Sequence, residues 1–353
     1  MQFISQIQHA LVRSGFQLSF FKAIKKILKY EERYGLSLLN PGDLLGFEDI
    51  CQESHFLESS SFVQRNTQGN SPNSNQFYSE KHIVTLRNVL ADTFSGIVFT
   101  ENGKIPILES SNILPGEVSH SLKPMRPKNI HAGTWTVLPS RSYAHWLMQD
   151  LPRFLNVLEN APDINVAISP NAPRFVTDAL QILKVSNMKE VRVLRPEKLV
   201  FVTSQYAIGL PSRSDLEKIR DLGKLVRVNQ PQAIESHPKK IYISRRNSRR
   251  SIKDEIKVEE SAKKWGFTVA FLEDFNLADE IDLFSQVEEV IGPMGAGFFN
   301  LIWANSSKVK RVVEISDPSQ VNDTFGILAE DLGIPFERVF YKNIDSIDDI
   351  FIN

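Results

Sequence analysis

The sequence predicts an α/β protein of two domains preceded by a helical extension, and three observations carry that prediction. From Lys240 onward, apolar runs alternate with amphipathic stretches: KIYIS, KVEESAKKWG, FTVAFL, NLADEIDLFSQV, EVIG, RVVEIS, DTFGILAEDLG, FERVFY. This is the pattern of a doubly wound parallel sheet. A shorter alternation precedes it, with INVAIS, EVRVL and KLVFVTSQYAI as strands and PRFVTDALQILKV as a helix between the first two. Between the two blocks lies the polar, proline-bearing stretch RVNQPQAIESHPKK, a boundary signal. The expected division is an extension and linker over 1–76, a first α/β domain over 77–230 and a second over 231–353.

Taken in order, the extension holds QLSFFKAIKKILKYEERYG, in which Lys22, Lys25, Lys26 and Lys29 fall on one helical face and Phe20, Ile24, Ile27 and Leu28 on the other. Two readings stay open for residues 18–34: a helix packed on the protein, or peripheral contact with an anionic membrane surface. The Ser-, Asn- and Gln-rich stretch from Glu53 to Gln76 reads as a loop or linker, because it has little apolar surface to bury. The chain has 353 residues, 42% of them hydrophobic and 24% charged, as in globular proteins, and its net charge of −1 argues against a nucleic-acid partner. Cys51 is the only cysteine, which excludes an internal disulfide and a multi-cysteine metal site. With no long apolar run and no secretory signal pattern, a cytoplasmic location is expected.

Three segments could carry chemistry. In SYAHWLMQDLPRF, a helix would put His145 and Gln149 on one face and turn Asp150 away, and Pro152 would kink or end it. A histidine beside a cleft can serve as a general base, or it can be a structural hydrogen-bonding group. In KKIYISRRNSRRSIKDE, Arg245, Arg246, Arg249 and Arg250 follow a strand end, where guanidinium forks suit phosphate oxygens; a solvated basic loop is the alternative. In EEVIGPMGAGFFN, Gly292, Gly295 and Gly297 let a backbone approach a phosphate at a helix N-terminus, or simply allow tight packing. Glu314, at the end of RVVEIS, stands where a carboxylate commonly accepts from ribose hydroxyls.

These segments, in this order, resemble glycosyltransferase family 61, which includes bacterial capsular-polysaccharide biosynthesis proteins. YAHW with LPR matches Tyr-x-His-Trp and Leu-Pro-Arg; ISRR with Arg250, Asp254 and Glu255 matches an Ile-Ser-Arg, Arg, Asn-Glu block. GPMGAGFFN matches Gly-Pro-His-Gly-Ala-Gly-Leu-x-Asn, ending at Asn300, and Glu280, Ile281 and Phe284 fit as well. The resemblance implies a GT-B-like fold, two Rossmann-like domains facing a cleft, and inverting transfer from a nucleoside-diphosphate sugar, a UDP-sugar for first choice, to a glycan or lipid-linked glycan. It implies no cofactor and no metal, in keeping with the lack of any Asp-x-Asp pair. It puts Arg245, Arg246, Arg250, Glu255, Gly292, Gly295, Ala296, Gly297, Asn300 and Glu314 on the donor. Tyr143, Trp146, Gln149, Arg153 and Met294 fall on the acceptor side, with His145 or Asp150 as the base. Met294 replaces the family's usual His, and Gln149 an acidic residue. These departures keep a second expectation open, a nucleotide-sugar-binding or scaffold protein without turnover; a pyruvyl transferase on the same architecture is a third.

Overall fold

The computed structural model describes residues 53–64, 75–101, 127, 129–140, 142–203, 211–229, 237–248, 251–320, 323–341 and 346–352. The expected basic helix at 18–34 and Arg250 lie outside them. The chain divides into two compact units, one ending at Ser212 but lacking 174–184, the other made of Arg174–Lys184 and the chain from Arg213 on.

The first unit is built on a six-stranded sheet of β1 (Glu53–Gln64), β2 (Asn75–Leu86), β5 (His131–Val137), β6 (Asn165–Ile168), β7 (Met188–Glu190) and β9 (Pro196–Val202). Their order across the sheet is β1-β2-β9-β5-β6-β7. Strands β9, β5, β6 and β7 run parallel, and β1 and β2 add an antiparallel hairpin. A three-stranded antiparallel sheet of β3 (Val89–Asp92), β4 (Val98–Thr100) and β8 (Val193–Leu194) joins it. The hairpin corrects the linker expected over Glu53 to Gln76. Glu53 pairs with Thr85 and Gln64 with Asn75, and a backbone ladder is satisfied by its own N–H and C=O groups whatever the side chains. Serine-rich composition therefore said little about this backbone.

The segment from Tyr143 is helical throughout, but not uniformly: helix α1 (Tyr143–His145) passes through a π turn (Trp146–Asp150) into helix α2 (Leu151–Asn160). The Leu151 N–H bonds to the carbonyl of Trp146, five residues back. That wider turn lies directly ahead of Pro152, in the first turn of α2, and makes room for the proline ring against the carbonyls of the preceding turn. The helix does not end there; its regular winding gives way to the π turn just before the proline.

The second unit holds a five-stranded parallel sheet of β10 (Lys240–Ile243), β11 (Thr268–Ala270), β12 (Glu289–Pro293), β13 (Arg311–Ser316) and β14 (Phe336–Phe340). Their order is β11-β10-β12-β13-β14. Numbered along this unit, that order is 2-1-3-4-5, so the winding reverses between β10 and β12, and the crevice beyond their carboxyl ends is the topological switch point where such sheets bind ligands. The helices are α3 (Arg174–Ile182), α4 (Arg213–Asn229), α5 (Glu255–Lys264), α6 (Leu277–Gln286), α7 (Thr324–Leu332) and α8 (Asp349–Ile352). The expected boundary at 230/231 separates α3 and α4 from this unit, yet both pack within it. Asp178 of α3 accepts from the Leu277 N–H that opens α6, at 3.0 Å. Gly223 lets α4 approach Trp303 so closely that a Cβ there would meet its ring at 2.9 Å.

Candidate functional site

The switch point of the second sheet is flanked by the two loops singled out in the sequence. After β10 comes the arginine loop, 244–254; after β12 comes the glycine turn. The three glycines solve three packing problems. A Cβ on Gly292 would stand 2.9 Å from the Ile243 carbonyl oxygen on the neighbouring strand, one on Gly297 2.9 Å from Leu272, and one on Gly295 inside the Arg245 guanidinium. The turn thus lets Arg245 lie flat against it, and Arg245 Nη1 donates to the carbonyl of Met294. The Met294 N–H extends the ladder to Ile315 O, 2.9 Å, and its side chain is half-buried. The turn leads into the expected helix, of 3-10 type, over Ala296–Trp303.

Two glutamates on the first turns of α5 organise the arginine loop. Glu255, buried, accepts from the Tyr242 hydroxyl at 2.9 Å and from the N–H groups of Arg245 and Ile252, both at 3.0 Å. Glu259, one helical turn on, accepts from Ser244 Oγ at 2.7 Å and from Arg246 at 2.9 Å. Arg246 also lies over the Phe271 ring, so the two adjacent arginines face different partners. Glu255 was expected to touch the donor; in this structure it is spent on the loop itself. Tyr242 and Glu259 were missed. The spacing of Glu255 and Glu259, four apart behind a basic run, was the signal for the second.

Two further donor candidates lie within the fold. Asn300 is 0% exposed, and its Oδ1 accepts from Trp303 Nε1 at 3.1 Å. Glu314 is 0% exposed, lying within β13 opposite Arg338. Its Oε1 accepts from Ser316 Oγ at 2.5 Å and from Arg338 Nε at 2.7 Å. Arg338, missed in the sequence, also reaches Asp323 at 2.6 Å. The Glu314 Oε1 is thus engaged within the fold, while the buried Oε2 has no hydrogen-bond partner among the described residues.

In the first unit, His145 Nδ1 lies 3.0 Å from Gln149 Oε1, as the four-residue spacing implied. Where Gln149 Oε1 accepts from Nδ1–H, the neutral ring keeps its lone pair on Nε2. Asp150 points the other way into the interior, 1% exposed and 3.9 Å from Arg153. Arg153 in turn donates from Nε and Nη2 to the Val202 carbonyl at 2.8 and 2.5 Å, holding the end of β9. Trp146, 0% exposed, packs in the core with its ring 6.0 Å from that of half-buried Tyr143. Trp146 and Arg153, expected on the acceptor side, and Asp150, a candidate base, all make contacts within the first unit, and Asp150 and Arg153 line a cavity there with Phe154 and Val202. His145 and Gln149 remain partly exposed. Among the described residues, no group of three or more His, Cys, Asp or Glu side chains could hold a metal ion.

The family model described as Glycosyltransferase 61 matches residues 143–313. The protein is a glycosyltransferase. The matched span opens at Tyr143, takes in His145, the arginine loop and the glycine turn, and closes inside β13 one residue before Glu314. A search of curated proteins returned no match. A glycosyltransferase binds a sugar donor and an acceptor, and among its described residues no helix is long and apolar enough to cross a membrane.

Proposed function

We propose that the protein transfers a sugar, with inversion and without a metal ion, from a nucleoside-diphosphate sugar to a glycan acceptor, in capsule or exopolysaccharide assembly as the family resemblance implies. The observation that carries the donor half is the strand order of the second sheet, whose switch point is bordered by Arg245 and the Met294–Gly295 turn. A leaving diphosphate needs positive charge as it departs, and Arg245 supplies it. Two units with parallel sheets support the GT-B class. In the same proposal His145 takes the acceptor proton at Nε2, with Gln149 holding the ring by Nδ1.

The test is a thermal-shift screen of UDP-, GDP-, dTDP- and CDP-sugars, followed by turnover with EDTA present. A binding nucleotide raises the melting temperature by mass action, and EDTA leaves transfer intact. A strict Mg²⁺ or Mn²⁺ requirement would overturn the metal-free mechanism; failure of every nucleotide to bind would overturn the donor site.

A further inference from the structure

We infer that Glu255 is a positioning residue that shapes the arginine loop for a nucleoside diphosphate without touching it, an inference that rests on the donor site proposed above. Its three donors come from three places: Tyr242 on β10, Arg245 at the start of the loop and Ile252 near its end. One carboxylate therefore ties both ends of the loop to the first residue of α5. Oε1 receives Tyr242 and Arg245, and Oε2 receives Ile252.

The chemistry suits a permanent latch. At 4% exposure the carboxylate has almost no surface left for a ligand, and an anion at a helix N-terminus is stabilised by the helix dipole. Three hydrogen bonds offset its desolvation, so removing it strands buried donors. Burial, and then the charge of Glu255, push the Tyr242 phenol far above its ordinary range, so it stays protonated and donates. Glu259 meanwhile draws Arg246 aside. The outcome is a sorted pair: Arg245 held on the glycine turn by its own backbone anchor, Arg246 held away from it.

The test pairs amide exchange of peptides covering 243–254 with calorimetric binding of UDP, GDP, dTDP and CDP, in the full chain. Glu255→Ala should speed exchange at Arg245 and Ile252 and weaken the nucleotide that binds by about tenfold or more; Arg245→Ala should weaken binding with the Ile252 amide still protected. Glu255→Gln gives a sharper pattern and serves if the alanine variant does not fold. Its Oε1 still accepts from Tyr242 and Arg245, but its NH₂ faces the Ile252 N–H, so Ile252 alone should exchange faster, with a smaller loss of affinity. Lost affinity with unchanged exchange would mean Glu255 touches the ligand, and faster exchange with unchanged affinity would mean the loop's anchoring is irrelevant; either overturns the inference. If wild type binds none of the four nucleotides, or if Arg245→Ala binds as well as wild type, the donor site itself falls, whatever the exchange shows.

Discussion

The arginine loop and the His145 turn are built to opposite plans. Around the loop, two buried glutamates accept five hydrogen bonds and hold backbone and side chains alike. At His145, one bond to a neutral amide orients the ring. The contrast reflects the task proposed for each. Binding a diphosphate asks for fixed positive charge, which a rigid carboxylate framework provides. Taking and returning a proton asks for a ring whose charge can change, and a neutral partner sets its tautomer without locking the proton on.

The largest expected effect tests the second half of that contrast. His145→Asn should lower kcat at least about a hundredfold, the low end of what a positioned base supplies, while nucleotide affinity stays within a few-fold. Near-full activity would leave the single-bond arrangement without a catalytic purpose. Next comes Gly295→Ala, whose methyl would occupy the space of the Arg245 guanidinium. That side chain can swing aside, so folding should survive and nucleotide affinity should fall by about tenfold, one charge-assisted bond's worth. Gly292→Ala sharpens the comparison, because its methyl meets the Ile243 backbone, which cannot swing. Overpacking of this kind costs about 1–3 kcal/mol, read as a melting temperature lower by several degrees. Equal behaviour of the two glycine variants would erase the distinction between ligand-side and packing-side glycines.

The smallest effect concerns the far end of α5. Lys264, and then Ser261, hold the Asp348 carboxyl down at about 2. A depressed carboxyl adds stability that is fully present above its unfolded value near 4 and is lost as the pH falls through about 2. Asp348→Asn should therefore melt lower than wild type at pH 6, with the gap closing as the pH falls from about 4 to 2. A gap independent of pH would remove the charge from the account.

The second sheet was legible because its strands are buried along most of their length and so read as short, mainly apolar runs between amphipathic helices, such as KIYI in β10. The β1–β2 hairpin was not, because its ladder is independent of side-chain composition. The same split runs through the candidate residues. The His145–Gln149 pair followed from helical spacing, and the Arg245–glycine-turn meeting from strand ends. The enclosure of Glu314 could not be seen, because its partner Arg338 lies 24 residues on in an adjacent strand. Nor could spacing reveal that Glu255 faces the loop's backbone amides instead of its ligand side.

The π turn at Trp146–Asp150 makes segment length a heritable constraint in its own right. Losing one residue there would restore α-helical winding, rotate everything N-terminal to it by about 100° about the axis, and bring Pro152 against a carbonyl of the preceding turn. His145 would then face a different direction from the same sequence neighbours. Substitutions between Trp146 and Asp150 alter what the segment touches, whereas a single deletion alters where the histidine points, so insertions and deletions should be tolerated far less here than changes of residue type.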